Sequence, residues 1–264
     1  MTSQLPEIID SHCHLDSPEI FNNLGSIVSR AREKGVTKLV TICTKERDLR
    51  KIINIVEQYP EIFFAFGLHP MGVSKNENIS LEKLIEVSNH PKMIGIGETG
   101  LDYHYTSDTK ELQKESLLTH ISAARKTDLP LIIHSRDADF DMNNILQSEY
   151  KSGDFDCVMH CYSSGENLAL ECSRLGFYLS MSGIITFPKS VKLREIFSKI
   201  NPSQILLETD SPYLAPVPNR GKINEPAYTA ETAKVGAKIF NMEEGKFRDM
   251  TTKNFYSLFK KVVR

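Results

Sequence analysis

Residues 93–100 read MIGIGETG. Side chains alternate across a β-strand, so Ile94, Ile96 and Glu98 are expected on one face, two apolar groups followed by a carboxylate. The same order returns three times further along. Ile132 precedes His134 in LIIHS, Val158 precedes His160 in CVMHCY, and Leu206 precedes Glu208 and Asp210 in ILLETD. Each run is apolar at its start and ionisable at its C-terminal end. Strands built this way bury one face along a shared axis and collect chemistry at one end of it.

Working outward, short apolar or β-branched runs alternate with segments of helical period. The expected strands are 7–12, 38–43, 63–68, 93–98, 130–135, 157–162, 178–183 and 205–210. Between them lie helical segments at 18–35, 46–60, 80–90, 111–128, 141–151, 166–176 and 190–200, with two more at 226–241 and 243–263. Strands separated by helices of this length indicate βαβ units and a parallel sheet. Eight units make a TIM (β/α)8 barrel. An open doubly wound sheet is the competitor, but the first loop carries no GxGxxG. The Pro- and Gly-rich stretch SPYLAPVPNRGKINEP follows the eighth strand and reads as a rim loop rather than a linker, so residues 1–264 are taken as one domain.

The 264 residues are 40% hydrophobic and carry a formal charge of -2, which excludes a global basic footprint for nucleic acid. Any polyanionic substrate must be held by local cations or by metal. No apolar run approaches the ~20 residues of a membrane span. MTSQLPEI lacks the basic and apolar regions of a signal peptide. The five cysteines (Cys13, Cys43, Cys157, Cys161, Cys172) form no CxxC pair. Reduced thiols and a cytoplasmic location are therefore expected. Cys157 and Cys161 fall on the face opposite His160, which argues against ligation by either.

The first expected strand ends in His12-Cys13-His14, placing two imidazoles on one side. Alone, such a pair is as consistent with a polar strand end as with half a metal site. In a barrel, however, all strand ends converge on one face. His12, His14, Glu98, His134, His160 and Asp210 would then meet near the axis. So many ionisable groups at one level are costly to desolvate unless cations neutralise them. Four histidines and two carboxylates exceed the three protein ligands of a mononuclear catalytic zinc site. The surplus points to two divalent ions, zinc, manganese or magnesium, with Glu98 bridging them. Asp210 is expected to handle the proton of the attacking water, and Glu208 to orient a ligand histidine.

The ordered set DSHCHLD, FGLHP, GETGLDYH, LIIHSRDA, HCYSSG and LLETDSPYLAPVPNRGKINEP resembles the TatD family of metal-dependent deoxyribonucleases, from residue 7 to about residue 227. Membership would imply a TIM-barrel hydrolase of the metal-dependent amidohydrolase superfamily acting on DNA phosphodiester bonds. The family's ligand positions match His12, His14, Glu98, His134, His160 and Asp210. Ile223 stands where the family often has a basic residue.

Around the ligands, His69, Tyr103, Arg136, Arg220 and Lys222 are the expected substrate contacts. His69 and the three cations would meet phosphate, and Tyr103 would offer its ring to a base. His90, His104 and His120 are expected to be structural or surface groups. The alternative reading is an amidohydrolase cutting a C–N bond of a small molecule. Many binuclear members of that superfamily bridge their metals with a modified lysine on strand 4, and here the position is Glu98.

Overall fold

The computed structural model describes residues 5–263. Eight strands, β1 (Ile8–Cys13), β2 (Val36–Cys43), β3 (Ile62–Phe66), β4 (Met93–Asp102), β5 (Leu131–Arg136), β6 (Cys157–Met159), β7 (Tyr178–Met181) and β8 (Ile205–Leu207), form one sheet in sequential order. All seven consecutive pairings are parallel, and a Cys13–Ser211 bridge brings the end of β1 against the chain beyond β8. The sheet thus closes as a TIM barrel.

Helices α1 (Pro18–Phe21), α2 (Leu24–Glu33), α3 (Leu49–Gln58), α4 (Leu81–Ser88), α5 (Lys110–Thr127), α6 (Asp139–Ser152), α7 (Glu166–Arg174) and α8 (Val191–Ser198) fill the crossovers. The segment 18–35 is broken rather than continuous, because Asn22 and Asn23 end α1 and start α2. Asparagine competes for nearby backbone groups and favours helix ends over helix interiors. Two further helices, α9 (Thr229–Ile239) and α10 (Glu244–Leu258), follow β8. Among the described residues no helix is long and apolar enough to cross a membrane.

Alternation sorts the apolar residues into two layers. Ile9, Val40, Ile42, Ala65, Ile94, Ile132, Val158 and Leu206 fill the barrel interior. Phe255 and Leu258 of α10, with Phe259 and Val262 after it, pack into that same cluster. Ile8, Leu39, Phe64, Met93, Leu131 and Leu179 face the helices instead.

Ile96 departs from the expected parity. It packs in the helix-facing layer, whereas Ile94 faces inside. The register of β4 slips against β3 between Met93 and Gly95, and again against β5 between Gly97 and Thr99. Each slip shifts the alternation by one residue. Gly97 sits at φ +136°, where a Cβ would lie 2.5 Å from the Ile132 carbonyl oxygen. Glycine alone fits, and the second irregularity is the one beside Glu98.

Strands β3, β6, β7 and β8 are also shorter than expected. β6 stops at Met159 and β8 at Leu207, so His160 and Asp210 lie just past the sheet. The backbone turns there through left-handed residues, Cys161 at φ 45° and Asp210 at φ 57°.

Candidate metal centre

Glu98 is the hub. Its side chain is 2% exposed, and its two oxygens divide the surrounding imidazoles. Oε2 lies 3.4 Å from His12 Nε2. Oε1 lies 2.7 Å from His160 Nε2, 3.2 Å from His134 Nδ1 and 3.3 Å from His69 Nε2. Asp210 Oδ1 completes the opposite side, 3.4 Å from His14 Nε2 and 3.8 Å from His12 Nε2. All six expected ligands therefore meet at the C-terminal mouth of the barrel, in the overlapping donor groups His12–His14–Asp210, His12–Glu98–His160 and His69–Glu98–His134.

Hydrogen bonds decide which ring nitrogens can donate a lone pair. His134 Nε2 is 3.0 Å from Asp102 Oδ2. A carboxylate only accepts, so Nε2 carries a proton, and Nδ1, 3.2 Å from Glu98 Oε1, is the nitrogen left to serve a cation. Asp102 Oδ1 is taken by the Tyr105 backbone N–H at 2.8 Å. His160 Nδ1 faces Glu208 Oε1 at 3.4 Å, while the Ser180 hydroxyl donates to Glu208 Oε2 at 2.6 Å. That arrangement turns His160 Nε2 toward Glu98 and matches the orienting role expected of Glu208.

His69 differs. Its Nδ1 accepts the Met71 backbone N–H at 3.1 Å, so in the neutral ring the proton resides on Nε2. The group it shows to Glu98 is therefore a donor, as a phosphate contact requires, and not a ligand lone pair.

The rings and carboxylates act strongly on one another. Although burial opposes it, neighbouring carboxylates raise His14, His134 and His160 above the ordinary imidazole value, each ring offsetting the negative charge that a cation would also offset. Burial alone would raise the Glu98 carboxyl, but His160 and His69 nearby and hydrogen bonds from His12 and His134 outweigh it. The group is held well below the usual carboxylate range. Asp210 is likewise lowered, burial being outweighed by the His14 hydrogen bond and the charge of His12. Burial and the neighbouring His160 push His12 down, toward the neutral ring that binds metal.

No ring nitrogen of His12 or of His160 makes a well-aligned hydrogen bond, although the two Nε2 atoms lie 3.4 and 2.7 Å from the Glu98 carboxylate. Buried groups left without a well-formed hydrogen bond cost ~1–3 kcal/mol each. The two rings stack at 3.9 Å with planes 8° apart. Cations coordinated between these nitrogens and the carboxylates would satisfy them, so the donor set fits divalent metal.

The remaining sequence-derived contacts divide. Tyr103 is half-buried, its hydroxyl donating to Asp141 Oδ2 at 2.7 Å and Lys110 Nζ lying 4.3 Å from its ring centre. The apolar body of a ring following a buried strand was packed rather than displayed. Arg136 covers the Tyr105 ring at 4.9 Å, and no carboxylate among the described residues pairs with it. Its sequence neighbours are engaged elsewhere, Asp137 with His104 at 2.8 Å and Asp139 with the Gly165 N–H at 2.8 Å. Arg220 stacks on Phe187 at 3.8 Å, and Lys222 approaches Asn219 Oδ1 at 3.5 Å. His120 is a satisfied core group, with Nδ1 2.7 Å from the Ser116 carbonyl oxygen and Nε2 accepting from Leu68 N–H at 3.1 Å.

Sequence reasoning missed Asp10, Asp102 and Asn224. Asp10 Oδ1 accepts from the Thr209 N–H at 2.9 Å and Oδ2 from the Thr209 hydroxyl at 2.6 Å, tying β1 to the chain just before Asp210. Burial pushes the Asp10 carboxyl up to about 8. Asn224 donates to the Thr209 carbonyl oxygen at 2.9 Å. The available signal was spacing, because Asp10 precedes His12 by two and Asp102 follows Glu98 by four.

The family model described as TatD related DNase matches residues 9–260. The chain belongs to the TatD family. It is similar to the uncharacterized metal-dependent hydrolase YabD of Bacillus subtilis, 34% identical over 253 residues, covering 96% of this chain and 99% of YabD. YcfH of Escherichia coli, another uncharacterized metal-dependent hydrolase, is 35% identical over 96% of this chain and 95% of its own length. The crystal structure of YjjV, a TatD homolog from the same bacterium, superposes with a TM-score of 0.89 at 28% identity, covering 96% of this chain and 98% of YjjV. This TatD-family protein is accordingly a metal-dependent hydrolase, with its candidate donors at the barrel mouth.

Proposed function

We propose that this protein is a deoxyribonuclease that hydrolyses DNA phosphodiester bonds with two divalent cations. The observation that carries the reading is the division of Glu98, one oxygen facing His12 and the other facing His134 and His160. His12, His14 and Asp210 with Oε2 would hold one ion; His134 and His160 with Oε1 would hold the other. Bound there, two divalent cations supply an ionised water near neutral pH and neutralise charge gathering on the phosphate. The imidazole-rich set suits zinc or manganese best.

The chain's own residues do the rest. Asp210, ionised and in contact with His14, takes the proton of the attacking water. His69 Nε2–H donates to a non-bridging phosphate oxygen. Arg136, uncommitted to any described carboxylate, holds a neighbouring phosphate at the rim. Asp102 and Glu208 keep His134 and His160 in the ring orientation the metals need.

The test is cleavage of labelled single-stranded DNA by metal-loaded protein, alongside a panel of cyclic amides and before and after EDTA. DNA cleavage that EDTA abolishes, with far-UV circular dichroism preserved, is the expected result. Cleavage by metal-free protein would overturn the two-metal reading, and turnover of amides without DNA would establish the C–N hydrolase instead.

A further inference from the structure

Among the large hydrophobic side chains that remain exposed, Met71, Tyr105, Phe140, Tyr213, Val217 and Ile223 lie in segments that follow strands β3, β4, β5 and β8, on the face of the candidate metal donors. Exposed aromatic rings there gain from being covered by a ligand. Two of these residues are fixed in place. Tyr105 is 58% and Tyr213 60% exposed, yet Tyr213 is one backbone hydrogen bond from Asp210, and Tyr105 reaches His134 through Asp102.

Tyr105 N–H donates to Asp102, whose other oxygen holds His134. Its ring is braced by Arg136 over one face at 4.9 Å and by the edge of His104 at 4.6 Å. Tyr213 N–H donates to the Asp210 carbonyl oxygen at 2.9 Å, and its ring stands edge-on to His14 at 6.1 Å. Asn224 Nδ2 donates to the Tyr213 carbonyl oxygen. β4 and β8 are four strands apart in an eight-stranded barrel, and so opposite each other. Tyr105 thus follows the strand that carries Glu98, and the Tyr213 ring stands on the opposite side of the mouth beside His14.

We propose that Tyr105 and Tyr213 form a stacking subsite for the two nucleobases that flank the scissile phosphodiester of single-stranded DNA. The proposal rests on the nuclease reading. A diester centred on Glu98 has one nucleoside on each side, and an aromatic ring waits on each side. Bases can reach such rings only when unpaired and unstacked, which selects a single strand over a duplex. Stacking on an aromatic side chain tolerates any base, so the subsite grips without reading sequence. The Arg136 guanidinium behind Tyr105 adds a cation to the stack.

The experiment compares binding by the metal-loaded protein of an oligothymidylate and of an abasic oligomer with the same number of phosphates, by fluorescence anisotropy. Wild-type protein is expected to prefer the thymidylate by ~10-fold or more, the affinity of about one stacked base. Tyr105→Ala and Tyr213→Ala should each erode that preference while leaving abasic binding near wild type, and Tyr105→Phe should keep it. Equal wild-type affinity for both oligomers, or a preference that survives both alanine variants, overturns the subsite. DNA cleavage tested in parallel separates the two readings. Cleavage without base preference removes only the subsite, whereas neither cleavage nor binding removes the nuclease reading and the subsite with it.

Discussion

Replacing Asp102 by Asn probes the centre without touching a metal donor. The wild-type carboxylate accepts two hydrogen bonds at once, from His134 Nε2–H at 3.0 Å and from Tyr105 N–H at 2.8 Å. An amide has one oxygen. Either the His134 contact or the Tyr105 contact must then face an NH2, leaving a buried donor against a donor. A lost hydrogen bond to a charged acceptor is worth ~1.5–3 kcal/mol, and loss of such an orienting partner lowers metal affinity ~10–100-fold. The loss should fall on one ion only, because His134 belongs to the donors around Glu98 Oε1 whereas His12, His14 and Asp210 lie on the other side. Calorimetric titration of metal-free protein with manganese, with elemental analysis of the loaded protein, should show one unchanged site and one weakened site. Two sites of wild-type affinity would refute the tautomer argument. Equal weakening of both would mean that Asp102 supports the whole barrel mouth rather than His134.

Glu98→Gln keeps the shape but removes the anion between the imidazoles, so turnover should fall ~100-fold or more, about 2.7 kcal/mol of transition-state stabilisation. Elemental analysis should find fewer than two ions per chain, and two ions with wild-type cleavage would return Glu98 to a structural role. Burial lowers His120 from 6.5 to about 4. The unfolded chain therefore binds this proton between those values and the folded chain does not, so stability is full above pH ~6.5 and falls as pH drops toward ~4. Metal-free wild type should lose about 2 kcal/mol more than His120→Gln between pH 6.5 and 4.5 in urea unfolding, and parallel losses would discount the shift. Gly100→Ala should destabilise by more than ~2 kcal/mol, read as a lowered urea midpoint, because its φ is +140° and a Cβ would lie 1.9 Å from the His134 carbonyl oxygen.

The barrel was legible because period-2 and period-3.6 patterns are local. Ile132, Val158 and Leu206 could be assigned to the interior from their own strands, and they lie there. The candidate metal donors were legible for a related reason, since strand-end position converts sequence order into proximity once the barrel closes. Ile96 was misread because a slip in register leaves no mark in the alternation itself, and the only sign of the second irregularity was the pair Gly97 and Gly100. The partners of Tyr103 were not legible because hydropathy treats a displayed ring and a packed ring alike; Lys110 and Asp141, which engage it, lie 7 and 38 residues further on.

By itself, then, the sequence determined the eight βα units, most of the inward apolar layer and the six candidate donors that meet at the barrel mouth. All of these follow from side-chain periodicity and the geometry of a closed parallel sheet. Only the tertiary structure decided which ring nitrogen of His134, His160 and His69 faces Glu98, and that the one His69 shows is a donor. It also decided that Asp10 and Asp102 do their work from behind the site. Those properties depend on hydrogen bonds between residues far apart in the chain, such as Asp10 with Thr209 across 199 positions. A proton's location is set by the partner on the other side of the ring, and no local pattern carries that partner's position.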